Sequence, residues 1–349
     1  MRTLARRLFR AVLLGGGLFV LWLFAVWPPP VWYRTHWPAE TAFQAMRRRA
    51  GGPAVGRSVS DDRIRARLLA GWIRQGSLTA RPPDRRTARL YHPIPLDSIS
   101  DGVTLTVMIG EDQRFREHGG IDWVNLRRAL GYPRDGFNWG VSRDRRDLGR
   151  ALGRAWERRD ALRGASTLTQ QLAKNLYLSP SRNPLRKVKE AVTAYRLEGA
   201  LGKDRILELY LNVAELGPGI WGVEAASQYY FGRSASRLDL DQAAALAGML
   251  PFPLRSNPAF RPGRMQSRQR LILRKLRGEE VEVPQVAEEE AMPPPVDSLP
   301  PLPIDTVVTP VDSTAVPGPD STTARPDSVP ADSVPVPVPS SIPPSTTTQ

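Results

Sequence analysis

No cysteine occurs among the 349 residues. Disulfide bridges, thiolate metal cages and cysteine nucleophiles are therefore excluded, whatever the compartment. Aromatic side chains are missing from the C-terminal stretch: the 66 residues from Pro284 to Gln349 contain no Phe, Tyr or Trp, yet they hold 17 of the 34 prolines. Such a segment cannot bury enough apolar area to offset its ordering entropy, so a disordered Pro/Ser/Thr-rich tail is predicted over 278–349. Acids are scarce outside it. The stretch from Pro284 carries nine acids and one base, net −8; with +14 for the whole chain, residues 1–283 carry +22. A body this basic predicts an anionic partner: nucleic acid, lipid headgroups or a phosphorylated substrate.

Charge of either sign is absent from Ala11 to Tyr33. About 20 apolar residues suffice to cross a hydrocarbon core of roughly 30 Å. Arg2, Arg6, Arg7 and Arg10 precede the run; Trp22, Trp27, Trp32 and Tyr33 crowd its far end, and Pro28, Pro29 and Pro30 stop a helix. The pattern predicts a cytoplasmic basic segment over 1–10, an uncleaved transmembrane anchor over 11–33 and a juxtamembrane linker over 34–59. A cleaved signal peptide is the alternative. Export makes nucleic acid an improbable partner and lipid-linked phosphates fitting ones.

Strand-like alternation is also rare, and no internal repeat is present. Apolar positions Ile64, Leu68, Leu69 and Ile73 have a helical period. Pro82 to Ser100 is proline-broken and predicts a loop. Leu105 to Ile109 is a short apolar run, and residues 134–163, with nine Arg and five acids, predict a mobile or surface segment. Asn183–Pro184 predicts a helix start, Asp204 another, and Asp239 or Asp241 a cap. Gly217–Gly222 predicts a turn between helices. One mainly α domain is expected over 60–277.

Four clusters could carry chemistry. Glu111 and Asp112 follow the apolar run, with Phe115 and His118 close behind. A carboxyl there can act as a general base; an acidic helix cap with His118 on a loop carbonyl is the plainer reading. Ser166, Thr167, Gln170, Gln171, Lys174 and Asn175 form a donor-rich patch suited to sugar hydroxyls and phosphate oxygens, or simply a capped helix. Arg186, Lys187 and Glu190 share a helix face, as a diphosphate clamp or an exposed ion pair. ILELYLN and GPGIWGVEAASQYYFGR read as core and tight turn.

In series, these motifs resemble those of the biosynthetic peptidoglycan glycosyltransferases: EDxxFxxHxGxD, G(G/A)STxTQQxxKN, RKxxE, then ILExYLN with GxGxxGxxxAAxxYFG. The resemblance spans about residues 90–258. It implies a lysozyme-like, mainly α glycosyltransferase domain beside the bacterial inner membrane, on its outer or periplasmic side. The implied reaction polymerises lipid II into β-1,4-linked glycan with inversion and release of undecaprenyl diphosphate, and implies inhibition by moenomycin. By the same resemblance Glu111 is the catalytic base and Glu190 the second catalytic glutamate. Arg186 and Lys187 meet the diphosphate, while Asp112, Phe115, His118, Ser166, Thr167, Gln170, Gln171, Lys174 and Asn175 bind substrate. No cofactor is required and no metal cage is specified, though Mg or Mn can bridge a pyrophosphate. Partners implied are lipid II, the growing glycan, the membrane and other wall-synthesis or division proteins. The chain departs from the family pattern at Ala165, where a second glycine is usual, in the longer stretch between the first two motifs, and in its tail. Transpeptidase Ser-x-x-Lys and Lys-Thr-Gly elements are missing beyond the last lysine, Lys275, which implies a monofunctional enzyme. A lytic enzyme of lysozyme-like build, a catalytically dead scaffold and a basic DNA-binding protein are the competing readings.

Overall fold

A computed structural model describes residues 2–49, 59–74, 90–134, 136–157, 166–178 and 184–284. Ala165 and residues 285–349, hence nearly all of the expected tail, lie outside the described residues. Twelve α-helices are described: α1 (Arg2–Phe24), α2 (Ala42–Arg49), α3 (Val59–Arg74), α4 (Asp101–Glu111), α5 (Trp123–Leu130), α6 (Ser142–Glu157), α7 (Leu168–Tyr177), α8 (Pro184–Leu201), α9 (Lys203–Val213), α10 (Val223–Phe231), α11 (Leu240–Met249) and α12 (Gly263–Leu276). Three short strands, β1 (Leu90–Tyr91), β2 (Glu215–Gly217) and β3 (Ile220–Trp221), complete a mainly helical body.

Local chemistry sets several boundaries. Pro184 opens α8 as expected, because its missing N–H is one the first helical turn does not use. Asp239 caps α11 in a reciprocal box with Gln242. Gly202 rather than Asp204 precedes α9, and Asp204 lies in its first turn, where an acid opposes the helix dipole. The apolar run at 105–109 proves to be the C-terminal half of α4.

α11 is the centre of the core. All its residues from Ala243 to Met249 are buried, and α4 and α12 pack along it. Small side chains make that approach possible: a Cβ built on Gly248 would lie 2.8 Å from the Met265 carbonyl. A second layer places α7 against α8, α9 and α2.

The GPGIWG segment is not merely a turn. It forms a hairpin of β2 and β3, and β1 adds to it in parallel, pairing Leu90 with Ile220 and Tyr91 with Trp221. Gly222, at φ 82°, leads from this hairpin into α10, and a Cβ there would come within 2.5 Å of the Asn212 carbonyl. The Asn212 side chain accepts from Ile94 N–H and donates to the Ile94 carbonyl, each at 2.8 Å, while Glu208 accepts from Leu96 N–H at 2.8 Å. The fourth motif thus fixes the approach to α4, whose last residue is Glu111.

The N-terminal third differs from the expected division. The helix of the uncharged run ends at Phe24, so its charge-free part, Ala11–Phe24, spans about 21 Å. Among the described residues no helix is long and apolar enough to cross a membrane. Residues 30–49, which take in the end of the expected anchor and residues 34–49 of the expected 34–59 linker, pack against the helical body. Tyr33 and Phe43 are buried, the 3-10 turn at Pro30–Arg34 packs on α8, and α2 packs on α7. Two arginines staple this stretch to the body, Arg34 donating to the Ala200 carbonyl and Arg205 to those of Tyr33 and His36, and Arg196 donates to the carbonyl of Phe24 at the end of α1. The Arg-rich stretch expected to be mobile or superficial contains α6, a surface helix.

On β2, Glu215 is buried and accepts from Arg47 Nε and Nη2 of α2 at 2.9 and 2.7 Å. Burial pushes its carboxyl up to about 7, against the opposing pull of the Arg47 cation. A folded value above the unfolded one makes this group's contribution full below about 4.5 and lost as pH rises through 7. Chemical denaturation of wild type against Glu215→Gln should show the wild type losing up to about 3 kcal/mol, relative to the variant, across that window.

Candidate active site

α7 organises the site. Thr167 caps it: its hydroxyl accepts from Gln170 N–H at 3.2 Å, and the Gln170 side chain accepts from Thr167 N–H at 3.1 Å. The same hydroxyl donates to the Gly120 carbonyl at 2.7 Å. The neighbouring amide, Leu168 N–H, donates to Asp112 at 2.9 Å, and His118 Nε2 lies 3.0 and 3.1 Å from the two Asp112 oxygens. Asp112 therefore fastens the end of α4 to the positive end of α7. The first motif and the start of the second are one construction.

Glu111 is 8% exposed. One carboxylate oxygen accepts from Gln171 Nε2 at 3.1 Å; the other accepts from Arg268 Nη2 of α12 at 3.0 Å. Gln171 accepts in turn from Tyr210 O–H at 2.9 Å. Arg268, itself buried, also donates to the carbonyls of Gly110 and Pro284. The apolar flank anticipated for Glu111 is replaced by a polar network. Arg268 and Tyr210 were missed by sequence reasoning. Arg268 is 157 residues away in the chain and belongs to no quoted motif, and Tyr210 sits in a stretch read as core.

Glu190, fully buried on α8, accepts from Arg186 Nη1 at 2.8 Å and Lys187 Nζ at 2.5 Å. Lys187 also donates to Ser166 Oγ at 2.8 Å, and its side chain is 44% exposed. The ion pair is part-buried, with its carboxylate end enclosed. Being enclosed, Glu190 positions the two cations and does not present its own oxygens.

The remaining expected residues divide. Phe115 is wholly buried, with Lys203 Nζ 4.4 Å from its ring centroid, so it supports the frame. Thr167, Gln170, Asp112 and Asn175 are buried as well; Ser166, Gln171, Lys174, His118, Arg186 and Lys187 keep part of their surface. Ligand atoms of Asp112, His118 and Asp122 lie within 4.8 Å of one another. Most are engaged: Asp122 Oδ1 caps α5 by accepting from Val124 and Asn125 N–H, and both Asp112 oxygens face His118.

A transglycosylase family model matches residues 136–277, which include the second, third and fourth motifs and Arg268 but not Glu111. The biosynthetic peptidoglycan transglycosylase of Bordetella pertussis is 40% identical over 209 residues, 60% of this chain and 79% of the relative. That of Azoarcus sp. is 38% identical over 263 residues, 75% and 91% of the two chains. That of Marinomonas sp. is 47% identical over 165 residues, 47% and 63%. These similarities define the class, an enzyme that transfers glycosyl groups in cell-wall synthesis. The chain belongs to the biosynthetic peptidoglycan transglycosylase family.

Removing one partner of a buried charge pair leaves the other uncompensated. Arg268→Gln should lower unfolding free energy by about 3–5 kcal/mol, measured by denaturant titration. Arg268→Lys, which keeps the charge beside Glu111, should lose less.

Proposed function

We propose that the protein polymerises lipid II, with Glu111 as general base and Lys187 with Arg186 receiving the departing diphosphate, in a lysozyme-like domain. One observation carries the reading. The Glu111 carboxylate and the Lys187 ammonium both hydrogen-bond to the start of α7, through Gln171 and Ser166. Those two contacts are five residues apart in the chain, Ser166 just before the Thr167 cap and Gln171 in the first turn of α7. A base and a cation pair so spaced suit the two ends of one glycosyl transfer.

In this reaction the acceptor sugar's 4-hydroxyl attacks the donor's anomeric carbon. Its proton passes to Glu111, worth roughly 10²- to 10⁴-fold in rate. The carbon–oxygen bond to the diphosphate breaks with its electron pair, inverting the anomeric centre, and undecaprenyl diphosphate leaves. Lys187 and Arg186, held by Glu190, stabilise the charge that develops there. A Mg or Mn ion accompanying the substrate would add positive charge to that of Lys187 and Arg186. Arg268 and Gln171 hold the Glu111 carboxylate in one orientation, and Tyr210 fixes Gln171.

The anchor reading has its own support. Large apolar side chains of α1 stand exposed, among them Leu14 at 70% and Leu21 at 65%. A patch of that kind asks for apolar cover. Lys189 of α8, next to Glu190 in the chain, lies 4.6 Å from the Trp22 ring of α1. With α1 in the inner membrane and the body outside, the clamp stands at the bilayer surface, where a lipid-linked diphosphate lies.

Labelled lipid II resolved on a glycan gel, with and without moenomycin, tests the reading. The wild type should form long chains that moenomycin suppresses. Glu111→Gln should reduce chain growth by about 10²-fold or more while retaining moenomycin binding. Unchanged growth by that variant removes Glu111 from the base role, and cleavage of finished glycan in place of polymerisation restores the lytic reading.

A further inference from the structure

The Arg-rich stretch takes no part in the site just described. Its helix α6 has an unusual inner face: the stripe toward the body consists of Asp144, Asp147, Leu148 and Ala151. Arg134 pairs with both Asp144 and Asp147, and Asp144 also accepts from Asn138 N–H at 3.0 Å. Two of the helix's three acids, Asp144 and Asp147, are thereby drawn inward, apart from a marginal 3.5 Å approach of Arg150 to Asp147.

The charged side chains described on the outer face are all arginines. Arg143, Arg146, Arg150 and Arg154 recur at intervals of three and four, so they lie along one side, and all are exposed. Gly149 and Gly153 lie beside that row, with open space where a Cβ would be, so the helix presents a low surface between taller side chains. On the other side stands Leu152, 52% exposed, and just before the helix comes Trp139, 72% exposed. Cations alone would suit any polyanion. Cations beside an uncovered tryptophan and leucine suit a boundary where phosphates overlie hydrocarbon.

We infer that α6 is a second membrane contact, a helix lying in the plane of the bilayer that recognises anionic phospholipid headgroups. This rests on the membrane reading above and adds to it a dependence on lipid charge that α1, through its apolar run, does not confer.

Because the chain has no cysteine, single-cysteine variants can carry a polarity-sensitive fluorophore without competing sites. The full chain with Gly149→Cys is placed in bilayer discs of phosphatidylcholine, with or without phosphatidylglycerol, and a parallel Gly16→Cys variant reports on α1. The Gly149 label should shift to the blue only with phosphatidylglycerol, and return on adding salt. Replacing Arg143, Arg146, Arg150 and Arg154 with Gln should weaken the phosphatidylglycerol response roughly tenfold or more, leaving the Gly16 signal and detergent-phase glycan synthesis unchanged. A Gly149 label that stays in water while the Gly16 label enters the bilayer overturns this proposal alone. So does an equal shift in both bilayers, or the same shift produced by soluble polyphosphate without lipid. A Gly16 label that stays in water overturns the anchor reading, and this proposal with it.

Discussion

Enclosing a carboxyl group inside a protein is tolerable only when hydrogen-bond partners replace the water it gives up. Three such groups, Glu111, Asp112 and Glu190, sit within the helical body, and each is met by donors: Arg268 and Gln171 for the first, His118 and the Leu168 amide for the second, Arg186 and Lys187 for the third. Two of those donors are on α7, and Lys187 reaches Ser166 at its entrance. The arrangement of α4, α7, α8 and α12 follows from the need to satisfy these groups at once. The geometry of the candidate site is thus also a condition for folding.

This explains why so many residues of the shared motifs are hidden. Thr167, Gln170 and Phe115 do their work by shaping the start of α7 and the loop that follows Glu111. Asn212 and Glu208 act farther off, on residues 94 and 96, and so set the direction from which α4 arrives. A motif in this protein records positioning more often than direct contact.

What could be read beforehand was local. The start of α8 and the cap of α11 depend on residues within one helical turn, and both were visible. The family resemblance brought Glu111 and Glu190 into one mechanism, and the structure links both to α7. Features made by distant residues were invisible. Arg268 meets Glu111 across 157 positions. Strand β1 joins a hairpin some 130 residues downstream, and two-residue strands are too short to show alternation. Helix α6 escaped notice for another reason: half of its inner stripe is aspartate, so hydrophobic periodicity had little to detect.

One carbonyl beyond the last helix is tied back to the candidate site. The recognised family similarity ends at residue 277 and α12 at Leu276, yet Arg268 reaches on to Pro284. Proline supplies an acceptor and no N–H, so it can receive the guanidinium without beginning a new ladder. A protein shortened at the helix end would strip one acceptor from the cation that steadies Glu111. The network around Glu111 therefore reaches Pro284, seven residues past the edge that the family model draws.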